Sequence, residues 1–381
     1  MKKQKRILLG LLLCMLFILS ACGAKDKETA EEKVDFNSLS KTGTMELSYA
    51  TQYSVDEYGD YKMITIVDGG RFLLVPEKKE VPSNLPEDVT VLQQPLDKTY
   101  LVSTSVMDLI RQIGAVSDIR LSGTKEDGWY IDEAVEAMQN GELLYAGKYS
   151  APDYELILSE GCNLAIENTM IYHNPEVKEK LEELGIPVLV ERSSYESHPL
   201  GRLEWIKLYG VLFGKEEEAA DYYDLALEKI EPIMENADCK KTVAFFYVTG
   251  NGAISVRKSG DYVAQMIALA GGTYVPAQLT GEDENALSTM NIQMEDFYAG
   301  AKDADILIYN STIDGEIGSI DELIAKNALF ADFKAVQDGN VYCTSQNFFQ
   351  RSTAIGDFME DLHQVFTNQE SENFNYLKKL R

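Results

Sequence analysis

The chain has 381 residues, 45% of them hydrophobic, and carries 62 acidic against 35 basic side chains for a formal charge of −27. Four of those cations lie in the first six residues, so the rest of the chain is more acidic still. Such a balance excludes capture of nucleic acid or of anionic lipid by long-range attraction, and it suits a partner that presents arginines.

The first 21 residues read as a leader. Lys2, Lys3, Lys5 and Arg6 precede an apolar run, Ile7 to Leu19, that is too short to span a bilayer comfortably and ends in small residues. Leu19-Ser20-Ala21-Cys22 then resembles a bacterial lipobox, which implies diacylglycerol attachment at Cys22 after cleavage. Two acyl chains make a durable anchor, since each buried methylene contributes about 0.8 kcal/mol. Residues 22–43 are polar and charged and read as a flexible tether. The remaining cysteines, Cys162, Cys239 and Cys343, are odd in number and widely spaced, which argues against a disulfide framework.

Thr44 to Pro76 alternates apolar and polar residues in two runs and predicts a strand meander, followed by a loop marked by Pro82, Pro86 and Pro95. From Tyr100 short apolar strands alternate with helices. The strands are YLVS, DIRLSG, CNLAIEN and IPVLVE, and the helices run Ser103 to Ile113, Ile131 to Asn140, Pro152 to Glu160 and Pro175 to Leu184. This is the βαβ rhythm of a mainly parallel sheet. A long helical stretch from Leu200 to about Asn236, broken near Gly214, comes next, and then the rhythm resumes with TVAFFYV, ADILIYN, GNVYCTS and a closing helix, Ile355 to Phe366. The expectation is an α/β protein of two Rossmann-like lobes joined by one long α-helix, with a cleft between them: N-terminal lobe 44–213, linker helix 214–238, C-terminal lobe 239–381. YELILSEGCNLAIENT and MEDFYAGAKDADILIYNST form an internal echo, a glutamate opening a helix and then a strand ending in Asn, used once in each lobe.

Taken in order, the lipobox at Cys22, SAPDYELILSEGCNLAI, LGIPVLV followed by ESHPLGRLEWIKLYGVLFG, VRKSGDYVAQMIALAGG, MEDFYAGAKDADILIYN and NVYCTSQNFFQ resemble the substrate-binding lipoproteins of ATP-driven importers for iron complexes (siderophores and haem) and for cobalamin. The resemblance covers nearly the whole mature chain. It implies a monomeric, extracytoplasmic receptor, lipid-anchored to the bacterial cell membrane, with little hinge motion. It implies a metal chelate, such as a ferric siderophore, as ligand, no cofactor of its own, and an ABC permease with its ATPase as partner. It also implies one surface carboxylate per lobe that grips permease arginines; Glu155 and Glu295 hold those positions.

In open α/β sheets ligands bind beyond the carboxyl ends of the strands. That rule selects Trp129, Tyr130, Tyr172, His173, Tyr195 and Arg202 in the first lobe. In the second it selects Tyr247, Arg257, Tyr262, Asn347, Phe348 and Arg351. Aromatic walls supply area, and arginines supply forked donors for an anionic chelate. In SSYESHPLGRLEWIK, residues 193–207, Arg202 and Tyr195 follow a strand end and read as ligand contacts, while Glu204 and Trp205 either orient Arg202 or close the core.

Enzymatic chemistry has no support: GxSxG, HExxH, the P-loop and GxGxxG after a strand are all missing. A receptor for bare zinc or manganese needs converging imidazoles, and the three histidines, His173, His198 and His363, lie far apart. An adhesin would need no closed cleft.

Overall fold

The computed structural model describes residues 34–236, 238–276, 289–369 and 374–381. The leader, Cys22 and the first part of the tether lie outside the described residues.

Three sheets form the scaffold. The first contains β1 (Gly43–Thr44), β2 (Tyr53–Tyr58), β3 (Tyr61–Ile66), β4 (Gly70–Val75) and β5 (Val89–Gln93), in that order. β1 to β4 pair antiparallel, and Gly59, at φ +66°, makes the two-residue turn between β2 and β3. β5 adds in parallel beside β4, so the proline-marked stretch holds a strand that its alternation does not announce. Strand alternation sends Tyr53, Val55, Ile64, Ile66, Phe72 and Leu74 into the main core, and Tyr61, Met63, Leu73 and Val75 into a small outer cluster.

The second sheet is entirely parallel. β6 (Thr99–Leu101), β7 (Ile119–Ser122), β8 (Leu144–Tyr145), β11 (Leu164–Asn168) and β12 (Val188–Glu191) stand in the order β12-β11-β6-β7-β8. A hairpin of β9 (Gly147–Lys148) and β10 (Ala151–Pro152) lies outside it. The third sheet is mixed. β13 (Lys241–Val248), β15 (Gly272–Tyr274), β17 (Ile306–Tyr309) and β18 (Val341–Thr344) run parallel, while β14 (Ile254–Arg257), β16 (Thr289–Ile292) and β19 (Leu377–Lys379) add antiparallel. Helices cover both faces of the second and third sheets, as the βαβ rhythm requires.

The two lobes are joined through a pair of helices. Pro199–Phe213 is buried on nearly every side and ends at Gly214, whose φ of +66° makes a left-handed cap. The 20-residue linker Glu216–Glu235 follows and buries only Ala219, Tyr223 and Ile230 fully. Around them one apolar core runs unbroken from Tyr53 and Leu74 through Trp205, Ile206 and Tyr209 to Val243, Phe245, Val263 and Phe358. The closing helix Ile355–Phe366 returns to the linker, where Lys229 pairs with Asp357 and with Glu360, the latter at 3.0 Å. Packing that is continuous across the junction leaves little freedom for one lobe to move against the other.

The internal echo has a structural counterpart. Helix Tyr154–Ser159 precedes β11 and helix Met294–Ala301 precedes β17. An asparagine, the last residue of β11 and the first after β17, turns the chain in the same way: Asn168 Oδ1 accepts from Met170 N at 2.9 Å, and Asn310 Oδ1 from Thr312 N at 3.2 Å. Among the described residues no helix is long and apolar enough to cross a membrane. Cys162, Cys239 and Cys343 are free thiols, and burial pushes the Cys162 thiol up to about 11.

Candidate ligand-binding cleft

In the second sheet the chain moves outward from β6 to β7 and β8, then returns to the other side of β6 for β11 and β12. The crevice of such a sheet therefore opens beyond the carboxyl ends of β6 and β11, between Ser103 and the turn Thr169–His173.

The two lobes meet across these carboxyl ends. Asp108, on the helix after β6, is fully buried; it takes Arg111 at 2.8 Å and also the Thr353 amide at 2.8 Å and the Thr353 hydroxyl at 2.5 Å from the other lobe. Gln350 accepts from Tyr130 N at 2.8 Å and donates to Gly128 O at 2.7 Å. Arg351 donates to Tyr130 O at 2.8 Å and lies 3.5 Å from Asp108, and the Ser352 hydroxyl donates to Ser105 O. Tyr130 and Arg351 are thus brought together, but as parts of a clasp between the lobes. A second contact stacks the Arg202 guanidinium 3.9 Å over the ring of Tyr262, one residue from each lobe. Arg257 approaches the same ring at 5.8 Å and pairs with Asp261 at 3.4 Å.

The stretch 193–207 divides its labour. Glu196 accepts the amides of Thr51 and Gln52, the Thr51 hydroxyl and the Trp205 indole N–H. Glu204 accepts the amides of Ser48, Tyr49 and Ala50 and the Lys207 ammonium. The two carboxylates hold the strap Ser48–Gln52, and Trp205, fully buried and edge-on to Tyr53, closes the core. His198 caps the helix by accepting from Leu200 N, stacks on Tyr49 at 4.4 Å, and has its pKa lowered by burial. Arg202 and Tyr195 are half-buried, with Tyr195 lying 4.1 Å beneath Arg192. Behind them Glu191 is buried. Burial raises its pKa against the lowering pull of Ser193 and Arg202.

Two expected ligand contacts turn inward. Phe348 is buried against Phe358 at 4.4 Å and Tyr376 at 5.7 Å, because Gln346–Gln350 is a 3-10 turn and consecutive residues point about 120° apart. Its neighbour Phe349 takes the outward place, 6.1 Å from the Tyr130 ring. Trp129 is 6% exposed and belongs to the main core. Tyr172 and His173 are exposed on the turn after β11, while Tyr247 and Asn347 are half-buried.

Beyond the strand ends, large apolar side chains stay in solvent. Tyr145 ends β8, Met170 and Tyr172 follow β11, Ile313 follows β17 and Phe349 follows β18, all 40–66% exposed. Tyr145, Ile313 and Asp108 were not singled out from the sequence. Asp108 alone had a signal there, an acid among the apolar residues in the middle of helix Thr104–Gln112. Among the described residues no three His, Cys, Asp or Glu side chains converge to hold a metal ion. A hollow of about 350 Å³ between Lys229–Asn236 and Glu360–Gln369 lies against the linker, away from this cleft. Glu155 and Glu295 are exposed in the first turns of their helices and make no ion pair among the described residues.

The sequence profile of the periplasmic binding protein family matches residues 129–347, the linker and part of each lobe. Two uncharacterized lipoproteins of Methanocaldococcus jannaschii are similar over most of their length. One is 27% identical over 311 residues, 78% of this chain and 72% of its own; the other is 23% identical over 334 residues, 84% and 82%. Among solved structures, the fold is shared with a periplasmic heme-binding protein of Vibrio cholerae (16% identity, TM-score 0.57, covering 72% of this chain and all of that one). It is shared also with an Fe3+-hydroxamate transport protein of Saccharomonospora viridis (17%, 0.53, 71% and 93%) and a vitamin B12 binding protein of Vibrio cholerae (14%, 0.51, 72% and 98%).

Proposed function

Starting from the fact that the chain belongs to the periplasmic binding protein family, we propose that it captures a preformed metal chelate, a ferric siderophore in the first instance, and hands it to the permease of an ATP-driven importer. The observation that carries this reading is the set of apolar side chains, Tyr145, Met170, Tyr172, Ile313 and Phe349, left in solvent beyond the strand ends of both lobes. Such a set favours a ligand with broad faces. The cargoes named for the three solved relatives, heme, a ferric hydroxamate and vitamin B12, are broad-faced chelates of that kind. The cobalamin reading shares the same cleft and the same support. The protein needs no catalytic group for this work; its role is binding and presentation.

In this reading Tyr130, Tyr172, His173, Tyr195, Arg202, Tyr247, Arg257, Tyr262, Asn347 and Arg351 border the ligand space, and Trp129 and Phe348 support it from the core. Lobe boundaries follow the elements, with Glu216–Glu235 as linker. Cys22 carries the lipid anchor, an assignment supported by the lipobox and by relatives described as lipoproteins. Glu155 and Glu295 meet the permease. The deciding experiment is native mass spectrometry with absorbance spectra of the mature protein, offered a ferric siderophore, haem and cobalamin. One-to-one retention of one of these classes is expected; retention of none of them defeats the reading.

A further inference from the structure

We propose that the cargo is an uncharged chelate with apolar faces and that polyanionic complexes are excluded; the inference rests on the chelate-binding reading above. The sequence selects Arg202, Arg257 and Arg351 for the cleft, Arg192 follows β12 beside them, and arginines there suggest an anion trap. The structure pairs three of them with carboxylates and stacks the fourth, Arg202, on a ring. Arg192 stacks on Tyr195 at 4.1 Å and lies 3.5 Å from Asp68 and from Gln52 Oε1. Arg202 lays its guanidinium face on Tyr262 at 3.9 Å with the buried Glu191 behind it. Arg257 pairs with Asp261 at 3.4 Å. Arg351 pairs with Asp108 at 3.5 Å and donates to Tyr130 O at 2.8 Å.

Arg192, Arg257 and Arg351 each have a carboxylate within 3.5 Å, which counters their charge at short range, and Arg202 has its face covered by a ring. A polyanion entering the cleft would shed its hydration shell and meet mainly guanidinium groups already countered by carboxylates, which is a net cost. The strongly acidic chain adds a repulsive field on approach. Lys125 and Lys258 have no carboxylate partner among the described residues. Lys125 is exposed at the rim, 5.5 Å from the Tyr145 ring, where water and salt screen it. An uncharged chelate asks for none of this. It needs apolar area, and Tyr145, Met170, Tyr172, Ile313 and Phe349, each 40–66% exposed, present it to solvent.

The test is a charge series at constant size. Tyrosine and tryptophan fluorescence quenching of the mature protein gives Kd for a neutral ferric tris-hydroxamate and for a trianionic ferric tris-catecholate, each at low and high salt. Cyanocobalamin, also uncharged, is run beside them. The expected result is that the hydroxamate or cyanocobalamin binds at least about 100-fold more tightly than the catecholate, with a Kd nearly indifferent to salt. Catecholate binding as tight as either, weakening steeply with salt, overturns the inference and leaves the chelate-binding reading intact. Binding of none of the three overturns both. Asp261→Asn gives an independent arm, because asparagine still caps its helix while Arg257 loses its counter-charge. The variant is expected to gain about tenfold for the catecholate and to leave an uncharged ligand unchanged. No gain for the catecholate counts against the neutralised-arginine argument.

Discussion

Glu167 stands near the carboxyl end of β11 with both carboxylate oxygens buried and without a hydrogen-bond partner among the described residues. Burial alone pushes its pKa up to about 8. The sign of the consequence follows from proton counting. In the folded state the group keeps its proton to about pH 8, whereas the unfolded chain releases it near the ordinary value of 4.5. The folded state therefore binds more protons across that window, and stability falls as pH rises from 4.5 through 8. Glu167→Gln keeps a neutral side chain of the same shape. Thermal melts should show the variant gaining on the wild type as pH rises from 5 to 8, by up to a few kcal/mol. Equal pH slopes for the two proteins would show that Glu167 is solvated or paired. Glu204 is the opposite case. Burial acts to raise its pKa, but Lys207 and the amides of Ser48, Ala50 and Tyr49 outweigh it, and the pKa ends below the usual value. Glu204→Ala should cost about 3 kcal/mol in a urea titration, since it orphans three amides and an ammonium together. The sequence shows both glutamates beside apolar runs but does not separate them. Solvent exclusion at Glu167 and the strap at Glu204 depend on partners far away in the chain, with the strap some 155 residues before Glu204.

At the scale of elements, the junction of the two central helices depends on Gly210. An alanine Cβ there would come within 2.7 Å of Ala219 Cβ and 2.9 Å of Lys215 O, so the last turn of Pro199–Phe213 and the first turn of the linker meet through the missing side chain. Gly210→Ala gains up to about 1 kcal/mol in helix propensity, yet the collision should cost about 1–3 kcal/mol. A net loss in denaturant midpoint is expected, with ligand affinity preserved wherever the variant is folded; a stabilised variant would mean that the helices part easily. The break at Gly214 and the two helices beside it are legible in the sequence, because glycine in a left-handed cap and apolar spacing are local signals. The central strands β6, β7, β11, β12, β13, β17 and β18 are legible for the same reason, as short apolar runs between helices. β5, β14 and β19 are not. β5 is isolated among prolines and is a strand only through its pairing with β4, and β19 exists only beside β18. The outward turn of Phe349 and inward turn of Phe348 are hidden likewise, since the 3-10 turn that separates them carries no periodicity of its own.

At the scale of the whole molecule, Glu155 and Glu295 occupy matching places. Each lies in the first turn of the helix that precedes a central strand, one in each lobe, exposed and without an ion pair among the described residues. The continuous core between the lobes restrains the spacing of the two charges. A partner with two arginines at that spacing would recognise the pair as a unit, and charges at an interface govern orientation and encounter more than raw affinity. Exposed carboxylates add only about 0–1 kcal/mol to the fold, so Glu155→Ala combined with Glu295→Ala should leave both the melting temperature and the chelate Kd unchanged. Uptake of a radiolabelled ferric chelate by cells carrying the permease should fall at least about tenfold in the double variant, and less in either single one, because one remaining contact still orients the complex. A Lys reversal at each position should be worse than alanine, since like charges then face each other across the interface. Normal uptake by the double variant would move the docking surface elsewhere. A fall matched by lost chelate affinity would place the two glutamates in the binding step instead.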